Sequence, residues 1–203
     1  MIVKLFLLAC ALAIGAAPAF AGDLVVSVTT KEGKPLADAV VTLPAPAGAP
    51  VPKFPWKLEI AQKDKQFAPF VLIAPVGAEV AFPNLDKFRH HVYSFSKGNR
   101  FELELYGRDE KRSVGFKTAG VAALGCNIHD NMVAFVYVTD TPFAAKTNAK
   151  GMAELKGAPD GAAQVAVWHP YAKSRDQITT TDTTIAGVTR LTVVIDVAAS
   201  HAH

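Results

Sequence analysis

The sequence predicts an all-β protein built from two β-sandwiches. Apolar residues alternate with polar ones or form short blocks, such as DLVVSVTT, PFVLIAPV, FELELY and MVAFVYVT. Alternation, and short apolar runs bounded by turn residues, indicate strands rather than helices. Turn sequences rich in Gly, Pro, Asn and Asp, such as KEGKP, APVGA and PDGA, separate the blocks. The chain has 203 residues, half of them hydrophobic, which is enough for two small domains with their own cores.

Residues 1–21 are predicted to be a secretory signal peptide. They contain one lysine, an apolar run and the small residues Ala19 and Ala21 at a cleavage site after Ala21. The apolar run at 5–17 is short for a membrane anchor, and Pro18 closes it. A lipoprotein site at Cys10 would leave a shorter apolar core still. We therefore expect a periplasmic protein with no membrane span after cleavage.

A proline-rich segment, residues 44–56, divides the chain. It holds five prolines in thirteen residues, a composition that favours extended polyproline geometry over a sheet. A second, less pronounced domain boundary is predicted at TDTPF, residues 139–143. We predict N-terminal strands and a linker at 22–52, a central domain at 53–140, further strands at 141–199 and a tail at 200–203.

The formal net charge of +3 gives no sign of a nucleic-acid-binding surface or an acidic tail. The sequence also lacks a Ser-His-Asp arrangement, a phosphate-binding loop and a second metal cluster. We therefore expect neither a nucleic-acid partner nor an enzymatic activity.

GCNIHDNM, residues 125–132, carries the densest chemical signal. Cleavage of the signal peptide leaves Cys126 as the only cysteine, and a single cysteine in an exported chain indicates an intermolecular disulfide, a reactive thiol or a metal ligand. Cys126, His129 and Met132 lie three positions apart on a loop with turn-forming Asn and Asp. A thiolate and a thioether together favour copper over zinc. Electron-transfer copper also requires a second histidine.

Few histidines can complete this set. His90 and His91 open a predicted strand 36 and 35 positions before the cysteine, so the intervening strands can bring them across a sandwich. His169, at a strand end beside a tryptophan, has no Cys or Met nearby, and we expect a structural role. His201 and His203 lie in the C-terminal tail, where we expect no site.

The segment KQFAPFVLIAPVGAEVAFPNLDKFRHHVYSFS, followed by GCNIHDNM, resembles the cupredoxins, the blue-copper electron carriers. The motifs F-x-P, G-x-x-V-x-F-x-N, H-x-V and Cys-x-x-His-x-x-Met occur in this order over roughly residues 57–140, with the loop spacing of the amicyanin type. The resemblance implies a cupredoxin-type Greek-key β-sandwich. It also implies that His90, Cys126, His129 and Met132 bind one type 1 copper per chain.

Two positions depart from the family pattern. The first ligand histidine is usually followed by Asn, and His91 stands there instead. The resemblance assigns His90 rather than His91 as the ligand, because His90 aligns with the ligand histidine of the family. His91 is then expected to point to the other face of the sheet, since adjacent strand residues do. Gly125 replaces an aromatic residue that relatives often carry beside the cysteine. We therefore expect electron transfer through the exposed edge of His129, and no change in partner rates in Gly125→Tyr.

The outer segments 26–43 and 145–171 resemble the transthyretin-like, carboxypeptidase-regulatory type of sandwich in the pattern of their turns. This resemblance implies that the copper domain is inserted into a second small sandwich. The alternative is two consecutive sandwiches. The combination resembles plastocyanin-like periplasmic proteins called methylamine utilization protein.

The implied function is the transport of single electrons between periplasmic redox proteins, such as a c-type cytochrome or an amine dehydrogenase. Two alternatives use the same sequence features: a periplasmic copper carrier or buffer, and a β-sandwich binding module with a vestigial copper site. Lys87, Arg89, Lys97 and Arg100 flank the first ligand. They form either a solvated face or a surface that steers an acidic partner.

Overall fold

The computed structural model describes residues 20–198, and the predicted all-β class is confirmed. Strands form its regular structure apart from one 3-10 turn, Arg175–Gln177. Within the described range, no helix is long and apolar enough to cross a membrane. The predicted signal peptide lies outside the described residues, except that the first strand begins at Phe20. His201 and His203 also lie outside them.

The strands in chain order are β1 Phe20–Thr30, β2 Val40–Thr42, β3 Ala61–Lys63, β4 Gln66–Ala68, β5 Val71–Pro75, β6 Ala78–Ala81, β7 His90–Ser94, β8 Phe101–Tyr106, β9 Ser113–Phe116, β10 Gly120–Gly125, β11 Val133–Thr139, β12 Ala144–Lys146, β13 Met152–Pro159, β14 Gly161–Trp168, β15 Ile178–Ile185 and β16 Val188–Ile195. The proline-rich segment at 44–56 forms no strand.

Strands from both ends of the described chain share one core. Their two sheets have the orders β13-β1-β16 and β12-β2-β14-β15. Along β1, Leu24, Val26 and Val28 are buried and the residues between them are partly exposed, the alternation of a strand with one buried face. The likeness of this unit to the transthyretin family stays a prediction, as do the domain boundaries.

Strands from the middle of the chain build the remaining sheets. The largest has the order β5-β11-β10-β7-β8, and two pairs, β3-β4 and β6-β9, complete the group. The buried cluster beneath it includes the aromatic residues Phe82, Tyr106 and Phe116 together with Cys126 and Met132. The sequence pattern misses β3 and β4, since three residues are too few to display an alternation.

A third buried cluster joins the two groups of sheets. Val40 and Trp168 come from the outer strands, and Val71, Ile73 and Phe135 from β5 and β11. The ring of Trp168 lies edge-on to that of Phe135, with centroids 5.6 Å apart. The outer strands therefore cover the β5–β11 side of the five-stranded sheet.

Candidate metal centre

Sheet register brings the predicted ligands to one end of the five-stranded sheet. His90 is the first residue of β7, and Cys126 follows the last residue of β10. These strands run antiparallel, with Tyr93 opposite Gly125. The loop that follows closes with a hydrogen bond from the backbone N–H of Met132 to the carbonyl of His129. The beginning of β7 and this loop therefore meet.

Three side chains converge there. The ligand-type atoms of His90, Cys126 and His129 all lie within 4.8 Å of one another. The Cys126 Sγ atom is 3.9 Å from the Nδ1 atoms of both histidines, and the two imidazole rings are 5.1 Å apart. One thiol and two imidazole nitrogens thus surround a common point.

The two distances from Sγ of Cys126 to the histidine nitrogens fit a bound metal ion. Bonds of about 2.0 to 2.3 Å, as zinc makes to nitrogen and sulfur, place the donors of a trigonal plane about 3.5 to 4.0 Å apart. A set of two imidazoles and one thiolate is the trigonal arrangement of electron-transfer copper. The donor chemistry and the spacing of this chain therefore suit copper.

Met132 lies at the base of the same region. Its side chain is 1% exposed, and it belongs to the same buried cluster as Cys126. A buried thioether beside a thiol and two imidazoles matches the weak axial ligand of such sites. All four sequence-predicted residues thus belong to one end of the sheet.

Asp86 is a neighbour of the site that sequence reasoning did not identify. Its Oδ2 atom lies 2.8 Å from the Nε2 atom of His90, and its side chain is only 9% exposed. Because an ionised carboxylate can only accept hydrogen bonds, Nε2 of His90 carries the hydrogen. Its Nδ1 atom, facing Cys126, keeps a lone pair for a metal.

The β3–β4 turn holds the Asp86 carboxylate in place. The backbone N–H groups of Asp64 and Lys65 donate to its two oxygens, at 2.8 and 3.1 Å. Both turn residues have positive φ, 54° and 59°. Burial acts to raise the pKa of Asp86, but hydrogen bonds from His90 and the turn outweigh it and hold the pKa below its ordinary value. The carboxyl group is therefore ionised near neutral pH.

Phe88 covers the imidazole rings on the outer side. Its ring centroid is 5.1 Å from that of His90 and 5.6 Å from that of His129. His90 is fully buried, whereas His129 is half-buried. Phe88 is 41% exposed, and the sequence neighbours of Asp86 and His129, Leu85 and Ile128, are each 48% exposed. His129 is thus the predicted ligand that lies nearest to solvent.

His91 lies outside the cluster. Its Nε2 atom is 2.8 Å from Oε1 of Glu102 on β8, and its ring is 5.7 Å from that of Tyr93. The neighbouring residues of β7 thus point to opposite faces of the sheet. The buried Nδ1 atom of His91 has no hydrogen-bond partner.

His169, for which the sequence predicted a structural role, is buried between the outer strands. Its Nδ1 atom accepts a hydrogen bond from the backbone N–H of Tyr171. Burial lowers its pKa to about 4, against a weaker opposing effect of Asp38 and the backbone of Ala37. His169 is therefore a neutral core residue at physiological pH, apart from the metal cluster.

Gly125 has an aromatic neighbour that the sequence did not reveal. A Cβ atom at Gly125 would lie 2.6 Å from both Cζ and Oη of Tyr93, so any side chain there would require the ring of Tyr93 to move. The phenol of Tyr93 therefore occupies the space beside Cys126 that a residue at 125 would fill. Gly125→Tyr would displace this ring, so that substitution does not test the route of electron transfer.

No protein-family model and no curated protein matches the chain. Solved structures match parts of it. A purple cupredoxin from Nitrosopumilus maritimus is 21% identical, with 41% of this chain and 100% of that chain covered and a TM-score of 0.37. A single-residue variant of amicyanin in the Cu(I) form is 17% identical, with 49% and 98% covered and a TM-score of 0.39.

A Cu-containing nitrite reductase from Thermus scotoductus SA-01 is 26% identical, with 48% of this chain covered and a TM-score of 0.40. The match spans only 25% of the reductase chain. The assignment of a metal to this chain rests on its own donor atoms.

Proposed function

We propose that this protein is a type 1 (blue) copper protein that carries single electrons between redox proteins of the periplasm. The observation that carries the proposal is the convergence of His90, Cys126 and His129, whose ligand-type atoms lie within 4.8 Å of one another. The buried thioether of Met132 completes a donor set that few functions other than copper binding require.

Each residue has a distinct role in this proposal. The Cys126 thiolate and the Nδ1 atoms of His90 and His129 would hold the ion, and the thioether of Met132 would be a fourth, weaker donor. Copper bound there supplies one-electron chemistry between Cu(II) and Cu(I). Strands on both sides would hold the ligand residues in place, and Asp86 would orient His90.

The surroundings of His129 support electron exchange with a protein partner. Leu85, Phe88 and Ile128 form an exposed apolar rim beside the half-buried imidazole. Lys87 and Arg89 are exposed next to it and would attract an acidic partner. We propose that a redox protein docks on this rim. Four protein ligands leave no open position for a substrate, so we propose no enzymatic activity.

The remaining parts of the proposal rest on the sequence. The predicted signal peptide favours a periplasmic location. The resemblance to amicyanin-type cupredoxins favours a c-type cytochrome or an amine dehydrogenase as the partner.

An absorption spectrum tests the copper centre. The protein spanning residues 22–203 and its variant Cys126→Ser are both loaded with Cu(II), and their spectra are compared. We expect an intense visible band from thiolate-to-copper charge transfer that is absent in the variant and disappears on reduction. Bound copper without this band would favour a copper carrier or buffer. Absence of copper binding would contradict the proposal and leave a β-sandwich binding module.

A further inference from the structure

A cleft with a volume of about 820 Å³ lies where the outer strands meet the strands that carry the predicted metal ligands. Asp38 and Tyr171 line it from the side of the outer strands. Asp64 in the β3–β4 turn, Phe70 before β5 and Asp130 in the loop between β10 and β11 line the opposite side. Both the volume and the position between two groups of sheets are typical of small-molecule binding sites.

Two carboxylates in this cleft lack a counter-charge. Within the described residues, the side chains of Asp64 and Asp130 make no hydrogen bond and no ion pair, and both residues are exposed. The third carboxylate, that of Asp38, is already paired, since its Oδ1 atom lies 2.7 Å from Nζ of Lys146. The cleft therefore offers two free negative charges to a ligand.

The ammonium group on the wall of the cleft does not neutralise these charges. Among the described residues that line the cleft, Lys65 is the only cationic one. Its Nζ atom lies 5.8 Å from the ring centroid of Phe88, which is not a lining residue. The charge of the cleft thus favours a cationic ligand over a neutral or anionic one.

The arrangement of the carboxylates does not suit a metal ion. In the described part of the chain, one group of three ligand-type side chains has donor atoms within 4.8 Å of one another, and that group is the predicted copper site. The aspartates of the cleft therefore do not surround a common point, as the six to eight oxygen ligands of calcium do. Separated carboxylates require a larger, organic cation.

Aromatic side chains in the cleft also favour an organic cation. The rings of Phe70 and Tyr171 lie 6.1 Å apart at an angle of 27°, and both residues are partly exposed. The buried ring of Phe67 and the partly exposed side chain of Val133 add apolar surface. Aromatic faces attract ammonium groups, and apolar walls take up a hydrocarbon body.

We propose that this cleft, here called the Asp130 cleft, binds an organic ammonium ion with an apolar body. The carboxylates of Asp64 and Asp130 attract the ammonium group, and Phe70 and Tyr171 contact the apolar part. This binding does not depend on copper.

The Asp130 cleft also adjoins the predicted copper loop, because Asp130 lies between His129 and Met132. A cation held beside this loop favours Cu(I), which carries one positive charge fewer than Cu(II). Linkage is reciprocal, so the ammonium ion should bind more tightly to the Cu(I) protein than to the Cu(II) protein. This coupling, unlike the binding itself, rests on the proposed function.

Binding is tested by nuclear magnetic resonance titration of the full chain with benzylammonium. We expect saturable shifts at the backbone amides of Asp64, Phe70, Asp130 and Tyr171. Benzyl alcohol, which has the same shape without the charge, should bind about tenfold more weakly, and benzoate should cause no shifts. Equal affinities for benzylammonium and benzyl alcohol, or shifts outside the cleft, would overturn the inference. Shifts of the same amides on raising the protein concentration alone would mean that a second copy fills the cleft, which would also overturn it.

Aspartate variants test the role of charge. At low salt, Asp64→Asn and Asp130→Asn should each lower the affinity for benzylammonium about fivefold and leave that for benzyl alcohol unchanged. Asp160→Asn is the matched control, since Asp160 is exposed in the β13–β14 turn and does not line the cleft. Affinities of the two cleft variants equal to that of the control would contradict the proposed site.

Calorimetry on the Cu(I) and Cu(II) forms tests the coupling. Benzylammonium should bind about twofold more tightly to the Cu(I) form, and Asp130→Asn should reduce this preference. Equal affinities in wild type would overturn the coupling. Titration of the metal-free protein separates the two proposals. Binding without a visible copper band would contradict the copper function alone, and a band without binding would contradict the cleft alone.

Discussion

The Nε2 atom of His90 lies 2.8 Å from Oδ2 of Asp86, and both side chains are buried. The same carboxylate accepts hydrogen bonds from the backbone of the β3–β4 turn. The Nε2 side of the His90 imidazole is therefore held by Asp86, while its Nδ1 atom faces Cys126. Such carboxylate–histidine pairs fix the orientation and raise the basicity of a metal ligand.

Asp86→Asn should weaken binding of Cu(II) about 10- to 100-fold, the usual loss when a carboxylate behind a ligand histidine is removed. The loss of basicity affects Cu(II) more than Cu(I), so the reduction potential should rise. Competition titration and voltammetry measure the two quantities. Asp64→Asn is the matched control, because Asp64 contributes its backbone N–H and not its carboxylate. An unchanged potential in Asp86→Asn would show that the carboxylate only supports the fold.

His90→Asn and His91→Asn should differ in their effect on the predicted charge-transfer band. The first removes an Nδ1 atom that lies 3.9 Å from the sulfur of Cys126, so the band should be lost or strongly changed. The second removes a ring that is paired with Glu102 on the other face, so the band should remain. Absorption spectra of the two Cu(II)-loaded variants show which histidine the band requires. The reverse pattern would make His91 the ligand.

Gly125→Ala should destabilise the protein by about 1–3 kcal/mol, the usual range for an overpacked site. The new Cβ atom would lie 2.6 Å from the phenol of Tyr93. Combination with Tyr93→Ser should recover part of the loss, because neighbouring substitutions are not additive. Urea denaturation measures the free energy of unfolding.

Gly115→Ala is the control for this experiment. Gly115 lies in β9, with no atom near a Cβ placed there, so this variant should have near wild-type stability. Equal losses in Gly115→Ala and Gly125→Ala would argue against a specific clash with Tyr93.

His169 should make the protein less stable in mild acid. Its pKa is about 4 in the folded state and about 6.5 in the unfolded chain. Between these values the unfolded state binds more protons, so the free energy of unfolding falls as the pH decreases from about 6.5 to about 4. The contribution amounts to about 2–3 kcal/mol at the acid end.

Urea denaturation of wild type and His169→Gln, near neutral pH and near pH 4, measures this effect. The variant should be less stable than wild type at neutral pH, and the difference should shrink by about 2 kcal/mol in acid. A difference that is independent of pH would mean that His169 titrates normally in the folded protein.

Local patterns were sufficient for most of the strands and for the composition of the site. Alternation marks strands such as β1 and β8, because burial of one face of a sheet repeats every two residues. Short continuous apolar blocks mark β5 and β11, which are buried on both faces. Cys126, His129 and Met132 are close in sequence, so their spacing on one loop was visible without a structure. His90 was selected by resemblance. Strand alternation predicts that His91 points to the opposite face of the sheet.

The neighbours of the site depended on tertiary structure. Asp86 lies near His90 in sequence, but its burial and charge come from a turn between β3 and β4 that no pattern predicted. Tyr93 meets Gly125 only because β7 and β10 pair in one register. Residue type and local spacing are enough to identify the side chains that can bind a metal, so these could be found without a structure. The surroundings of those side chains required the folded chain, because contacts between distant segments depend on sheet register and packing.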